Sequence, residues 1–570
     1  MFEHPGRKLA VTIGILIVAA IAVVSTRSIR AADDKGALAG VVKDSSGKPV
    51  SGAFVKLKNA DRRLTFMVVS QAKGKFEAAN LPGGKYSVQA VAKELQSDWS
   101  APVDVSAGKV AMANISLTAQ RAPALAPAWP GRPPGIDGDE VVGEGAPPAL
   151  PEGEGKRIVE NRCTSCHNTV RIVGNRVDRQ HWQATVSQMR ENMQALPADK
   201  QMTDQEAKVA LDYLAANFPP MPTPDPNSRL PRTLPQAQET QYVAVEYEMV
   251  NHDAEPHDVT VDLHGNAWAN ERTGGNLAHL DPANFSFEEV ALPPGDSKKL
   301  RLGAITRGPD GLIWFVDGGA NNRFWSFDPV SRSFSAYPAP RLPKGAISGN
   351  TMRVDANNQT VWETAIASNT IAKLDIASKK VTYFTVPEGA RRAQNATPYG
   401  MAISRDGKVW FAENSFDLIG RVDPETGKID EFKIPVKSAV PRRMGADTDG
   451  NIWVGLHGAG KLLKIDYATA EMTPFTPPTA NAGTYSVSVD LKHNLVWVSE
   501  QQADKIARFD PKTGQWLEFP LPNAESDARR IEIDPNNPNR VWWSGNIPAR
   551  IGYVELLGPS ANADGGRAGN

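Results

Sequence analysis

From residue 36 to residue 120, apolar and polar positions alternate in short runs at 38–43, 53–58, 86–91 and 113–117. Turn clusters such as Asp44-Ser-Ser-Gly-Lys-Pro and Leu81-Pro-Gly-Gly-Lys separate them. Alternation with period two, broken by Gly and Pro, predicts half-buried strands. A small antiparallel β-sandwich over 36–120 follows. Between 153 and 220 the period lengthens. A first helix is expected over 155–163 and a second over 179–193, with Trp182, Val186 and Met189 on one face. Thr203 and Glu206 have the spacing of a capping box. They open a third helix on which Ala207, Ala210, Leu211 and Leu214 share a face.

The last body repeats. Trp268, Trp314, Trp362, Trp410, Trp453, Trp497 and Trp542 recur at spacings of 43 to 48 residues. Asp-Gly turns precede several of them, and strands ending near Asp-Pro follow, as at Ile419-Gly-Arg-Val-Asp-Pro. Four short strands per period of this length predict a seven-bladed β-propeller over 241–557. The last period stops after its third strand, near Ile551-Gly-Tyr-Val-Glu-Leu, while a spare strand, Tyr242 to Met249, precedes the first. The spare strand is expected to complete the seventh blade and remove its open edge. Proline-rich stretches at 121–152 and 221–240 read as extended, semi-rigid linkers between the three bodies.

Chemistry is concentrated in Cys163-Thr-Ser-Cys166-His167, which uses both cysteines of the 570-residue chain. C-x-x-C-H is the attachment signature of c-type haem. Cys163 and Cys166 would form thioethers and His167 would be the proximal iron ligand. A redox dithiol or half a zinc site is the competing reading, but zinc needs a second ligand pair and the nearest histidine, His181, stands alone. For the distal ligand, Met189 lies on the apolar face of the second helix, and Met193 is expected in the loop before the third. Met202 and His181 are weaker alternatives. The fold class is thus multidomain and mainly β, with a class I-like helical cytochrome c domain over 153–220 carrying one covalent haem c.

Compartment and charge agree with that reading. Lys8 precedes an apolar run from Leu9 to Val24, followed by small and basic residues. Residues 1–32 therefore read as a signal peptide or N-terminal anchor, and the protein as periplasmic or otherwise exported. A membrane would be met only through this segment. A formal net charge of −1 with interspersed signs gives no footprint for nucleic acid. Residues 558–570, rich in Gly, Ala and Asn, read as a disordered tail.

Three resemblances extend these readings. Ser-Gly-Lys-Pro-Val-Ser-Gly-Ala at 46–53, Gly74-Lys-Phe and Leu81-Pro-Gly-Gly-Lys-Tyr resemble the carboxypeptidase regulatory-like domain, usually a non-catalytic module. The run Cys163-x-x-Cys-His, Arg171, Trp182, Val186 and Met189 resembles the haem domain of quinohemoprotein amine dehydrogenase α-subunits, which implies Met189 as distal ligand. Pro398-Tyr-Gly-Met-Ala-Ile-Ser-Arg-Asp-Gly-Lys-Val-Trp-Phe-Ala-Glu-Asn resembles repeats of streptogramin (virginiamycin B) lyases. This last resemblance implies a divalent cation held by acidic residues and a histidine base.

Three residues after the tryptophans stand Glu271, Asp317, Glu413 and Glu500, at equal expected height. These four are the candidate cation ligands, with His457 as the candidate catalytic base and His257 as a second inward histidine. They read equally as acids capping blade turns or paired with nearby Arg and Lys. Gly455-Leu456-His457 lacks the glutamate that the lyase pattern places beside its histidine. Arg353, Arg442, Arg443, Arg529 and Arg530 near the inner-strand starts suggest instead a mouth that attracts anions. Three functions stay open. The first is an electron-transfer protein that passes electrons to a periplasmic redox partner while its propeller binds a substrate or that partner. The second is a metal-dependent propeller lyase or hydrolase with an accessory cytochrome. The third is a module docking partners or polymers.

Overall fold

The structure, a computed structural model, describes residues 35–125, 149–163, 178–193, 198–219, 224–252, 254–272, 274–293, 302–318, 322–342, 349–388, 396–546 and 548–558. The expected signal or anchor at 1–32 lies outside them, as does all of the expected tail but Gly558. No helix among the described residues is long and apolar enough to cross a membrane.

Residues 35–120 form two sheets around one core. Lys35–Lys43 pairs antiparallel with Lys75–Pro82 and parallel with Val110–Met112. Phe54–Asn59 lies between Leu64–Val69 and Gly84–Ala92 in the other sheet. Leu38, Val42 and Phe76 from the first sheet meet Val55, Leu57, Phe66 and Val88 from the second in one apolar cluster. This is the outcome that alternating patterns require when one face must be buried.

Residues 242–556 form a propeller-like array of seven four-stranded sheets. Six are built from strands consecutive in sequence, beginning at Pro256, Leu302, Gly349, Pro398, Pro441 and Thr484. The first strand of each sheet lies beside that of the next, and the seventh returns to the first. The strand ladders themselves do not run from sheet to sheet around the array. The repeat tryptophans sit on the second strands and are at most 2% exposed. Their preceding turns explain the spacing. The Trp268 and Trp453 indoles donate to Asp262 and Asp447, each at 2.9 Å and each six residues earlier, and Trp410 donates to Ser404 at 3.1 Å. One residue thus ends the turn and satisfies the buried N–H.

The seventh sheet is completed as expected. Tyr242–Glu248 pairs with Arg550–Leu556 in continuous register, from Tyr242 opposite Leu556 to Glu248 opposite Arg550. Its other edge was not foreseen. Leu64–Val69 of the N-terminal domain pairs along it, from Val243 opposite Val68 to Tyr247 opposite Leu64. One ten-stranded sheet therefore passes from the sandwich into the last blade.

The expected linkers are also not free at their outer ends. Arg121, buried, donates to the carbonyls of Lys93 and Leu230, each at 2.8 Å, and Asn227 at 2.5 Å. Leu125 N donates to Ser228 O at 3.1 Å, and Ala524 N to Pro226 O at 3.0 Å. The chain leaving the sandwich and the chain returning to the propeller are thereby fastened to each other.

Between those ends, the described helices are α1 (Lys156–Arg162), α2 (Arg179–Met193) and α3 (Asp204–Asn217). The capping box of Thr203 and Glu206 is formed as its spacing predicts. Met193 closes α2 rather than lying in the following loop. A Cβ on Gly155 would stand 2.2 Å from the Tyr213 Cβ, so only glycine lets α1 approach α3 this closely.

Candidate functional site

The helical body places two of its expected site residues, Cys163 and Met193, in a core. Cys163 is the C-cap of α1 and is 8% exposed. It shares an apolar cluster with Val159, Trp182, Val186, Met193, Met202 and Leu214. Trp182 is fixed by donating to Phe218 O at 3.0 Å, and Arg162 ties α1 to α3 through Glu206 at 2.8 Å. Met193 is buried within this cluster, whereas Met189 is half-buried and outside it. Cys166 and His167 lie outside the described residues. As far as the described residues reach, Cys163 lies in a helix-lined apolar core beside Met193 and Met202.

In the propeller, the candidate acids line up without meeting. Glu271, Asp317, Glu413 and Glu500 end the second strands, each opposite the first residue of its inner strand, so they stand at one height. All four are fully buried. Glu271 accepts from Asn276 at 3.0 Å and Asp317 pairs with Arg323 at 3.1 Å, both within their own sheets. Among the described residues, no group of three or more His, Cys, Asp or Glu side chains is arranged to hold a metal ion. Among the described residues the expected cation ligands are therefore not brought together.

Burial pushes the Glu271 carboxyl up to about 7, with Asn276 opposing it. A carboxyl raised on folding stabilises the protein at low pH and loses that contribution as pH rises past 4.5 and through 7. Thermal midpoints measured at pH 5 and pH 8 should fall more for the wild-type chain than for Glu271→Gln. The difference should be on the order of 3 kcal/mol. Equal falls would show that the carboxylate is stabilised after all.

The groups that do converge lie at the mouth, on the inner strands. In every sheet the first strand carries a register shift just after its first residue, for example between Pro398 and Met401 and between Pro441 and Met444. Such a bulge re-aims side chains and breaks the alternation of period two. The second positions after it include Tyr399, Arg442, Tyr485 and Arg529 in sheets four to seven, and His257 in the first.

These residues touch. The Tyr399 and Tyr485 hydroxyls hydrogen-bond to each other, with ring centroids 6.1 Å apart. The Arg442 guanidinium lies 4.7 Å from the Tyr399 ring centre and 5.2 Å from that of Tyr485. His457 packs edge-on to Tyr485 at 5.4 Å and its Nε2 is 2.8 Å from Gln501 Oε1. Gln501 in turn donates to Asp527, which also accepts from Arg529 Nε at 2.7 Å.

Beneath lies a plug. Arg443 of the fifth sheet reaches Asp258 of the first, with Nη1 3.1 Å from Oδ2 and both side chains at 0% exposure. It also donates to Thr351 of the third sheet at 3.2 Å. His257 Nδ1 is 2.8 Å from Asp258. Burial opposes the Asp258 charge, yet Arg443, the hydrogen bond with His257 and Arg530 together outweigh it and hold the carboxyl well below its usual range.

Proton affinities divide this mouth. Burial, and then the Arg442 charge, lowers His457 to about 3; burial also lowers His257 to about 3. Both rings are neutral at neutral pH, and a group that binds protons so weakly makes a poor general base there. Burial opposes ionisation of Tyr399, but Arg442, Arg443 and Arg529 outweigh it and bring this hydroxyl below the usual tyrosine value. Tyr485, carrying the burial cost and facing Tyr399, is raised to about 12. Tyr399, Tyr485, Gln501 and Asp527 were missed in the sequence. Reading the second residue of each inner strand down the repeat would have found the two tyrosines.

Comparison with known proteins agrees with two of the three bodies. Residues 298–562 match the Virginiamycin B lyase family, and residues 37–118 match the Carboxypeptidase regulatory-like domain. The chain thus has a carboxypeptidase regulatory-like domain followed by a virginiamycin B lyase-like propeller. No curated protein matches. Among solved structures, a streptogramin B lyase is 22% identical, with TM-score 0.49, covering 56% of this chain and 100% of its own. A catalytically inactive virginiamycin B lyase from Staphylococcus aureus with quinupristin has the same identity and coverage and a TM-score of 0.48. Hydrazine synthase of Kuenenia stuttgartiensis is 10% identical, with TM-score 0.43, covering 53% of this chain and 96% of its own.

Proposed function

We propose that this chain is an exported c-type haem electron-transfer protein whose propeller mouth binds a substrate or redox partner. The observation that carries the reading is the burial of Cys163 at the end of α1, among three helices, where the C-x-x-C-H sequence begins. Cys163 and Cys166 would hold the haem, His167 would be the proximal ligand, and Met189 or Met193 the distal one. The haem, when bound, supplies a one-electron store whose potential a methionine ligand raises. The chain's own part is to exclude water with Trp182, Val186 and Leu214 and to fix the helices through Trp182 and Arg162. The apolar run behind Lys8 supports export, and so a periplasmic redox partner.

Two measurements test this. Protein purified from a host able to attach haem should keep its absorbance after denaturation, and Cys163→Ser with Cys166→Ser should abolish it. Absence of covalent haem in the wild-type chain would overturn the reading. Met189→Ala and Met193→Ala should differ, with only the true ligand's removal abolishing the methionine–iron absorption band.

A second reading, a metal-dependent propeller lyase or hydrolase with an accessory cytochrome, is favoured by the family match over 298–562. The dispersed acids and the weakly basic His457 count against it. Lyase activity that vanished both with a chelator and in His457→Ala would establish it over the first.

A further inference from the structure

In the fifth sheet the bulge lets two successive residues, Arg442 and Arg443, both reach groups of other sheets. Their fates differ. Arg443 is matched by Asp258, Arg529 by Asp527 and Arg530 by Glu532 at 2.6 Å. Arg442 has no carboxylate and donates no hydrogen bond among the described residues. It is half-buried, and its Nε is shielded from solvent without a partner.

A guanidinium in that position is not a neutral packing element. Withdrawing it from water costs free energy that a hydrogen-bonding partner ordinarily offsets. Its approach to the Tyr399 and Tyr485 rings, 4.7 and 5.2 Å from their centres, recovers part of this through cation–π attraction and holds the group in place. The remaining cost is met when an anion occupies the N–H edge. Held beside two rings, the guanidinium presents a fork of parallel donors, matched by the two oxygens of a carboxylate.

We infer that Arg442, held against the Tyr399 and Tyr485 rings, forms a binding site for a small organic carboxylate at the propeller mouth. The inference rests on the ligand-binding part of the proposed function and is independent of the haem. A carboxylate fits better than a cation, because Arg529 adds positive charge close to the tyrosine pair, and Asp527 neutralises only one of these guanidinium groups. It fits better than an extended polyanion, because among the described residues Arg442 is the one cation of these arginines with neither a carboxylate nor a carbonyl already on it. Arg353 already donates to Met352 O at 2.8 Å and Met444 O at 2.9 Å. The tyrosine rings suit a planar or apolar body behind the carboxylate, and His457 and Gln502, 3.4 Å apart, add neutral polar groups.

The site also has its own titration signature. The charged groups facing Tyr399 and Tyr485 are Arg442 and Arg443 from the fifth sheet and Arg529 from the seventh. Asp258 and Asp527 lie behind them, and His257 and His457 are neutral. A carboxylate on Arg442 adds negative charge beside the pair and disfavours a phenolate. Bound ligand should therefore move tyrosine ionisation to higher pH.

The test uses the full chain, with benzoate as probe, followed by titration calorimetry and by ultraviolet pH titration. Benzoate should bind saturably at one site per chain and raise the pH at which the tyrosine signal appears. Arg442→Gln should weaken binding by about 10-fold or more. Arg405→Gln, at the exposed turn on the opposite end of the fourth sheet's inner strand, should leave it unchanged. If Arg442→Gln fails to fold by its tryptophan-fluorescence melt, Arg442→Lys replaces it, keeping the charge and losing the fork. It should weaken benzoate more than inorganic phosphate. No saturable benzoate binding, equal binding of phosphate by the wild-type chain, or unaltered binding in the Arg442 variants would overturn the inference. Benzoate binding by wild-type protein that a haem-attaching host yields without covalent haem would overturn the electron-transfer reading and leave this one standing.

Discussion

Val245→Pro should disrupt the sandwich and the last blade together. Val245 stands opposite Phe66 on one side and Tyr553 on the other, so its strand is hydrogen-bonded along both edges. Proline removes an N–H and cannot sit in a central strand without breaking the ladder. A loss of several kcal/mol is expected, about 3 or more from the backbone alone, with added loss where Val245 leaves its buried site. Denaturant unfolding followed by tryptophan fluorescence and by proteolysis of the N-terminal domain should show both regions destabilised. If the propeller loosens while residues 35–120 stay as resistant as before, the two bodies are not coupled through this strand. Val55→Pro, in a strand further inside the sandwich, should strike the N-terminal domain first.

Asp258→Ala should be the most damaging single side-chain change at the axis. It leaves Arg443 wholly buried with its charge uncompensated and removes the partner of His257. Breaking a buried pair from one side costs about 3–5 kcal/mol, mostly from the stranded charge rather than from the lost attraction. The consequence separates this from a simple contact deletion. Replacing both partners, as in Asp258→Leu with Arg443→Met, should recover most of the loss. Chemical denaturation of the two variants decides the matter. A single variant destabilised by less than about 1 kcal/mol, or a double variant no better than the single, would mean that water already reaches the pair.

How far this architecture could be read from the chain depends on what a pattern encodes. The seven tryptophans announced the repeat because each sits at the same place on a second strand, and in three of them, Trp268, Trp410 and Trp453, an indole bond to a residue six positions back makes the constraint purely local. The closing strand was legible because a missing fourth strand and a spare one balance. That Leu64–Val69 takes the strand's other edge was not legible, since alternation reveals which face is buried but never which neighbour lies alongside. At the mouth the obstacle was the bulge. It sets Tyr399 and Gly400, or Arg442 and Arg443, out of the alternation from which inward positions are counted. The acids after the tryptophans obeyed the pattern and stand at one height, but equal height in separate blades is not proximity. In the helical body the sequence pattern located the three described helices, while Cys166 and His167 lie outside the described residues.

The strand shared by sandwich and propeller also sets an order of events. It is synthesised before any other strand of the array, and its last partner, Arg550–Leu556, is made about three hundred residues later. A lone strand with both edges bare over that interval would be a template for mispairing. Leu64–Val69 is already made when the shared strand emerges, so one edge can be occupied from the outset and the other kept in place as a dock. The N-terminal domain then acts as a built-in holder for the final step of folding. Detaching it should slow refolding of the propeller more than it lowers its stability at equilibrium.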